Sequence, residues 1–126
     1  MKVVNSTKME FAESLRKRTK KFAIDVIKMY RKLPATEDAR IVGRQLIRAA
    51  TSVASNYRAA CRARSDKEFY AKLSIVVEEA DETLFWMEIL KESGIHNTPI
   101  ELENEAIEIL AIMAKSRKTA KYGNTE

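Results

Sequence analysis

Hydrophobic residues recur every three or four positions along most of the chain, with polar residues between them. This spacing places the hydrophobic side chains on one face of a helix. The pattern therefore predicts four amphipathic helices, at about residues 8–33, 37–63, 66–93 and 99–118. Their predicted core stripes are, in chain order, Phe11, Leu15, Phe22, Val26, Met29 and Leu33; Val42, Leu46, Ala49, Val53, Tyr57 and Ala60; Phe69, Leu73, Val76, Ala80, Leu84 and Met87; and Leu102, Ala106, Ile109 and Met113.

Local signals mark where these helices begin and end. Four residues are placed to cap helix N-termini: Thr7, Thr36, Ser65 and Thr98. Glu10, Glu68 and Glu101 complete three capping boxes, because each follows its cap by three positions. Pro34 ends the first helix, and Gly94 supplies the left-handed residue expected after the third.

The connections between the predicted helices are short, so consecutive helices should be antiparallel neighbours. The 126 residues contain only three Gly and two Pro, a composition that favours long helices over turns and sheets. We therefore expect residues 1–126 to form a single all-α domain, an antiparallel up-down-up-down four-helix bundle with a flexible basic C-terminal tail.

Charge is distributed unevenly along the chain. The net charge is +5, but residues 1–64 carry a balance of +11 and residues 65–126 a balance of −6. Such asymmetry indicates either a polyanionic partner for the basic half or self-association through opposite charges. The sequence leaves both interpretations open.

The second helix concentrates the positive charge on one face, which we call the arginine ridge. Its members follow one another in steps of three or four: Arg40, Arg44, Arg48, Thr51, Ser55, Arg58 and Arg62. Arginine binds phosphate oxygens in a bidentate manner, and hydroxyl groups can add further hydrogen bonds. The ridge and three lysines of the first helix are the predicted nucleic-acid-binding residues; those lysines are Lys17, Lys20 and Lys21. Alternatively, the ridge is a solvated helix face that pairs with carboxylates of the third helix or of another subunit.

Two helices carry more hydrophobic surface than a monomeric bundle requires. In the second helix the hydrophobic arc extends beyond the core stripe, and in the third helix large hydrophobic side chains project opposite it. This excess predicts a subunit interface, although scattered surface hydrophobic residues are also common. The predicted interface residues are Ile47, Ala54, Ile75, Glu82, Trp86 and Ile89.

Residues that carry catalytic or metal chemistry are scarce. The chain has one histidine and one cysteine, and it shows neither a phosphate-binding glycine loop nor a nucleophile set at supporting spacing. We therefore expect no catalytic residues, no metal site, no cofactor and no enzymatic activity. The lone cysteine, the absence of a run of about 18 hydrophobic residues and an N-terminus that turns polar early predict a cytoplasmic protein.

Several motifs resemble the 23S rRNA intervening-sequence proteins, a bacterial family of four-helix bundles, over about residues 11–115. The most specific are Gln45-Leu46, Arg48-Ala49-Ala50, Ser52-Val53, Ser55-Asn56, Ser65, Lys67-Glu68-Phe69, Leu73-Ser74-Ile75, Glu82, Glu92 and Gly94. The resemblance implies a homopentameric ring and no catalytic residues. The chain is also distantly similar to the accessory proteins of diversity-generating retroelements, which are basic pentamers that bind nucleic acid and a reverse transcriptase.

These observations favour a non-enzymatic, ring-forming protein that binds structured RNA or other nucleic acid through its phosphates. The alternative is a protein-interaction scaffold that recruits a partner enzyme such as a reverse transcriptase.

Overall fold

The computed structural model describes residues 6–120 and contains four helices. They are α1 (Ser6–Tyr30), α2 (Glu37–Cys61), α3 (Asp66–Glu92) and α4 (Ile100–Thr119). The described residues contain no β-strand, which confirms the all-α prediction. Helix α4 extends to Thr119, so the first part of the predicted flexible tail is helical. Residues 121–126 of that tail lie outside the described residues.

The helices pack in a closed cycle. Helix α2 contacts α1 and α3, and α4 contacts the same two helices from the other side. The contact between α2 and α3 is the most extensive, and that between α1 and α4 is the smallest. Within residues 6–120, no Cα atoms of α1 and α3 lie within 8 Å of each other, and the same holds for α2 and α4. This arrangement is consistent with a four-helix bundle.

Most of the predicted core residues are buried along the axis of this cycle. All four residues of the α4 stripe are buried, as are five of the six in the α2 stripe. In α3, Phe69 and Leu84 are half-buried and pack against the core. Phe11 contradicts the prediction, because half of its side-chain surface is exposed. The first buried residue of α1 is Leu15, so the turns before it extend past the core.

Helix α1 ends three residues earlier than predicted. The amide of Lys32 donates to the carbonyl of Met29 at 2.9 Å, and that of Leu33 donates to Tyr30 at 3.1 Å. These hydrogen bonds span three residues rather than four, so the chain leaves the α-helix in a tight turn before Pro34. Gly43 of α2 packs against this turn. A Cβ atom at Gly43 would lie 2.5 Å from the Tyr30 ring, so a larger residue here would have to displace that ring.

Two of the predicted caps form as expected. The hydroxyl of Ser65 accepts a hydrogen bond from the amide of Glu68 at 3.0 Å, and that of Thr36 accepts one from Ala39 at 3.4 Å. These bonds satisfy amide groups that have no partner within the helix. Gly94 has a φ of +80°, the left-handed conformation predicted for it.

The other two predicted caps are wrong. Helix α1 begins at Ser6, so Thr7 lies inside it. Helix α4 begins at Ile100, one residue later than predicted, because the carbonyl of Pro99 accepts its first backbone hydrogen bonds. Thr98 therefore lies outside the capping position, and its hydroxyl is buried without a hydrogen-bond partner in the described structure.

Candidate nucleic-acid interface

The arginine ridge lies on the side of α2 that faces away from the core. All five of its arginines are exposed, as is Ser55, whereas Thr51 is half-buried. The ridge is straight because steps of three and four residues return to nearly the same side of a helix. From Arg40 to Arg62 it spans about 33 Å at about 1.5 Å per residue.

Arg48 differs from the other arginines because α3 supplies it with carboxylates. Its Nη1 lies 3.2 Å from Glu79 Oε1, and its Nη2 pairs with Glu82. Glu82 also accepts a hydrogen bond from the indole nitrogen of Trp86 at 2.9 Å. The hydrogen bond from Trp86, and then that from Arg48, lower the pKa of Glu82. Arg48 is therefore part of a network between two helices, which is the alternative considered for the whole ridge.

The four remaining arginines are free of such partners. Within the described part of the chain, no carboxylate lies within ion-pair distance of Arg40, Arg44, Arg58 or Arg62. Arg40 and Arg44 are four residues apart, as are Arg58 and Arg62, and like charges at this spacing repel each other. A polyanion placed along the ridge would relieve this repulsion.

The two hydroxyl groups of the ridge bond to their own helix. Thr51 donates to the carbonyl of Ile47 at 2.8 Å, and Ser55 donates to Ser52 at 3.4 Å. This bonding pattern is common for Ser and Thr inside helices. In this conformation neither hydroxyl donates toward solvent, so the arginines supply the donors of the ridge.

Two of the three predicted lysines of α1 have carboxylate neighbours on the same helix. Lys21 lies 2.7 Å from Asp25, which raises the pKa of Lys21, and Lys17 lies 3.7 Å from Glu13. Lys20 has no such neighbour among residues 6–120. The three lysines are exposed.

The predicted interface residues occupy different environments. Ile75 is exposed, Glu82 belongs to the Arg48 network, and Ile47, Ala54 and Ile89 are half-buried. Trp86 was expected to project away from the core, but it is half-buried and packs against the core instead. Gly43 and Ala50, two small residues of α2 that lie beside its core stripe and were expected to add to the hydrophobic surface, are buried within the chain.

Phe85 is the residue that the sequence analysis missed. It is 47% exposed, and its ring packs edge-on against that of Trp86 with the centroids 4.9 Å apart. The predicted α3 stripe placed both rings on the far side of the helix, because it included Leu84 and left out Thr83 and Leu90. Relative to the residues that are buried in α3, Phe85 lies almost directly opposite and Trp86 lies to the side.

A groove of about 490 Å³ runs between α1 and α4, the two neighbours that contact each other least. Arg18 crosses it and binds Glu105 through two hydrogen bonds, at 2.8 and 2.9 Å. His96, the single histidine, lines the groove. Residues 6–120 contain no group of three or more side chains suited to hold a metal ion.

No helix in the described part of the chain is both long and hydrophobic enough to cross a membrane.

Comparisons with known proteins agree with this architecture. The model of the family described as 23S rRNA-intervening sequence protein matches residues 14–115. A similar solved structure is that of a protein with unknown function from the S23 ribosomal protein family of Bacteroides thetaiotaomicron VPI-5482. It is 26% identical, with a TM-score of 0.78 over 85% of this chain and 97% of that one. No curated protein matches the chain.

Proposed function

The chain belongs to the 23S rRNA-intervening sequence protein family, and we propose that it binds structured RNA, or nucleic acid more generally, through its phosphates. In this proposal it is a cytoplasmic, non-enzymatic protein whose helices form an up-down-up-down bundle. Several copies assemble into a ring, with five subunits as the expected number. The observation that supports RNA binding most directly is the set of four exposed arginines of α2 that have no carboxylate partner in the described structure.

Arginine is suited to this role because its guanidinium group presents several donors in a planar fork. Two of them can bind one phosphate, and each such hydrogen bond is strengthened by charge. The ridge is about 33 Å long, enough to contact several successive phosphates. None of its members is aromatic, so stacking on unpaired bases has no support there. Binding would read the shape and backbone of the RNA rather than its sequence.

Assembly would strengthen this interaction. A ring would repeat the arginine ridge in each subunit, and one RNA could contact two or more copies at once. The second contact is then intramolecular, which raises the overall affinity without any new type of contact.

The proposal is tested by reversing two ridge charges that have no ion-pair partner. We expect the double variant Arg44→Glu, Arg58→Glu to bind a labelled structured RNA at least 100-fold more weakly than the wild type. The wild-type affinity should fall steeply across a salt series, with a slope of about 0.7 to 0.9 per phosphate contacted. Arg48 is left unchanged because its substitution would also deprive Glu79 and Glu82 of their ion-pair partner.

The matched control is Lys67→Glu, Lys115→Glu, which reverses two exposed charges outside the ridge. It should retain RNA binding to within a few-fold of the wild type. Equal losses in the two variants would show that only net charge matters. An absence of binding by the wild type at low salt would reject the proposal.

The alternative proposal, a scaffold that recruits a partner enzyme such as a reverse transcriptase, draws on a different observation. Phe85 and Ile24 are exposed hydrophobic side chains in helix interiors, where a protein partner could cover them. The distant similarity to accessory proteins of diversity-generating retroelements stays a prediction. Assembly without RNA binding would favour this alternative.

A further inference from the structure

Helices α1 and α3 each carry a large exposed hydrophobic residue at the centre of a face with a single sign of charge. On α1 the centre is Ile24, 42% exposed, and on α3 it is Phe85, 47% exposed. The side chains three, four and seven positions away surround each centre on the helix surface. The basic face around Ile24 consists of Lys17, Lys20, Lys21, Lys28 and Arg31. The acidic face around Phe85 consists of Glu78, Asp81, Glu82, Glu88 and Glu92.

The two faces match in composition. Five of the six positions around Ile24 are basic, and the sixth is Ile27. Five of the six around Phe85 are acidic, and the sixth is Ile89. Each face therefore has a hydrophobic centre, one adjacent isoleucine and a charged surround, and the two surrounds have opposite signs.

Most of these charges lack an ion-pair partner in residues 6–120. The exceptions are Lys17 with Glu13, Lys21 with Asp25, and Glu82 with Arg48. The seven that lack one are Lys20, Lys28, Arg31, Glu78, Asp81, Glu88 and Glu92.

The two faces cannot neutralise each other within one chain. Helices α1 and α3 each pack against α2 and α4, but in the described structure no Cα atom of α1 lies within 8 Å of one of α3. Ile24 and Phe85 both point away from the core. The complementary surfaces therefore lie on opposite sides of the molecule, and only a second copy can bring them together.

We propose that the basic face of α1 docks on the acidic face of α3 in the next copy, with Ile24 and Phe85 at the centre. A hydrophobic centre within a charged rim is the usual composition of a protein interface. The contact is heterologous, because each copy uses two different surfaces. It continues from copy to copy until a ring closes, or it extends as a filament.

This inference rests on the proposed self-association and names the surfaces that carry it. It also assigns the lysines of α1 to assembly, which leaves RNA binding to the arginine ridge. RNA is a weaker match for the basic face, because phosphates gain nothing from Ile24. RNA would also leave the acidic face of α3 unexplained.

The test is a charge swap between the two faces. One triple variant carries Lys20→Glu, Lys28→Glu and Arg31→Glu, and the other carries Glu78→Lys, Glu88→Lys and Glu92→Lys. Each variant alone should assemble at least 100-fold more weakly than the wild type and run near the 14.4 kDa of one chain. The chain with all six substitutions has complementary faces again and an unchanged net charge of +5. It should regain the wild-type mass in light scattering, and circular dichroism verifies that every variant is folded.

The outcomes separate this inference from the proposed function. A monomeric wild type would reject self-association itself. A wild type that assembles, with both triple variants keeping its mass, would place the interface elsewhere and overturn the inference. The inference would also be overturned if the chain with all six substitutions failed to assemble. If the first triple variant loses RNA binding but keeps its mass, the basic face binds a polyanion instead.

Discussion

The arginine ridge of α2 and the basic face of α1 are both positively charged, but they differ at their centres. The ridge has the hydroxyl groups of Thr51 and Ser55 between its arginines, whereas the basic face surrounds the exposed Ile24 with four lysines and one arginine. A polar centre suits a hydrated phosphate backbone, and a hydrophobic centre suits a protein surface that excludes water. Two patches of the same charge can therefore suit different partners, and the polarity of the central residue distinguishes a nucleic acid from a protein.

The type of cation supports the same distinction. Lysine is a compact and strongly hydrated charge, while the arginine fork matches the geometry of phosphate. Lysines at the rim of an interface mainly steer the approach of an acidic partner, and they contribute less to the affinity than the buried centre does. This comparison supports the proposals that α2 binds phosphate and that α1 mediates association.

The largest expected effect comes from the centre of the basic face. Ile24→Glu places a carboxylate where the proposed contact presents Phe85 of the next copy. Burying that charge without a partner is costly, so we expect the assembly to weaken about 100-fold or more. The measurement is the molar mass across a dilution series.

The matched control is Ile107→Glu, since Ile107 is a similarly exposed isoleucine on α4, 54% exposed. It should leave the mass unchanged. An equal effect of the two substitutions would remove the distinction between α1 and the other exposed surfaces. Each chain should still bind RNA in both variants, but Ile24→Glu should lose the gain in affinity that assembly provides.

A smaller effect should follow from changing the cation type while keeping the charge. The double variant Arg44→Lys, Arg58→Lys retains the net charge but loses two guanidinium forks. We expect RNA affinity to fall about three- to tenfold, with a nearly unchanged salt slope, because the number of neutralised phosphates stays the same. The reciprocal control, Lys20→Arg with Lys28→Arg, should alter neither RNA affinity nor mass. An unchanged affinity of the ridge variant would mean that it acts through charge alone.

The sequence was sufficient for the helices and most of the core. Periodicity identified all four helices and every buried residue of the α4 stripe, because that pattern depends on local geometry. The periodicity did not predict burial correctly where contacts between helices determine it. Phe11 is exposed because it precedes the part of α1 that reaches the core, and Trp86 is half-buried because it packs against the core.

Local patterns were also unable to show which charges pair between helices. Arg44 and Arg48 occupy equivalent positions on the ridge in the sequence pattern. In the structure, however, only Arg48 forms ion pairs with Glu79 and Glu82. The residue spacing alone shows that the basic and acidic faces are complementary. Only the structure shows that they cannot pair within one chain, because α1 and α3 are not neighbours in the bundle.

The smallest expected effect concerns Glu82, which belongs both to the acidic face and to the Arg48 network. Its pKa lies below the ordinary value for glutamate because Trp86 and Arg48 donate hydrogen bonds to its carboxylate. A lowered pKa stabilises the fold above the pKa of the unfolded chain, and this contribution is lost as the pH falls through the folded value. Trp86→Phe removes the indole donor and keeps an aromatic ring, so the pKa of Glu82 should rise towards its ordinary value.

Carboxyl carbon NMR across an acid titration measures this shift, with the wild-type protein as the control. The assembly mass of Trp86→Phe near neutral pH should equal that of the wild type, because Arg48 still holds the carboxylate in its charged form. An unchanged pKa would assign the lowering to Arg48 alone. A loss of assembly would instead make the indole part of the subunit contact, which would shift the centre of the acidic face from Phe85 towards α2.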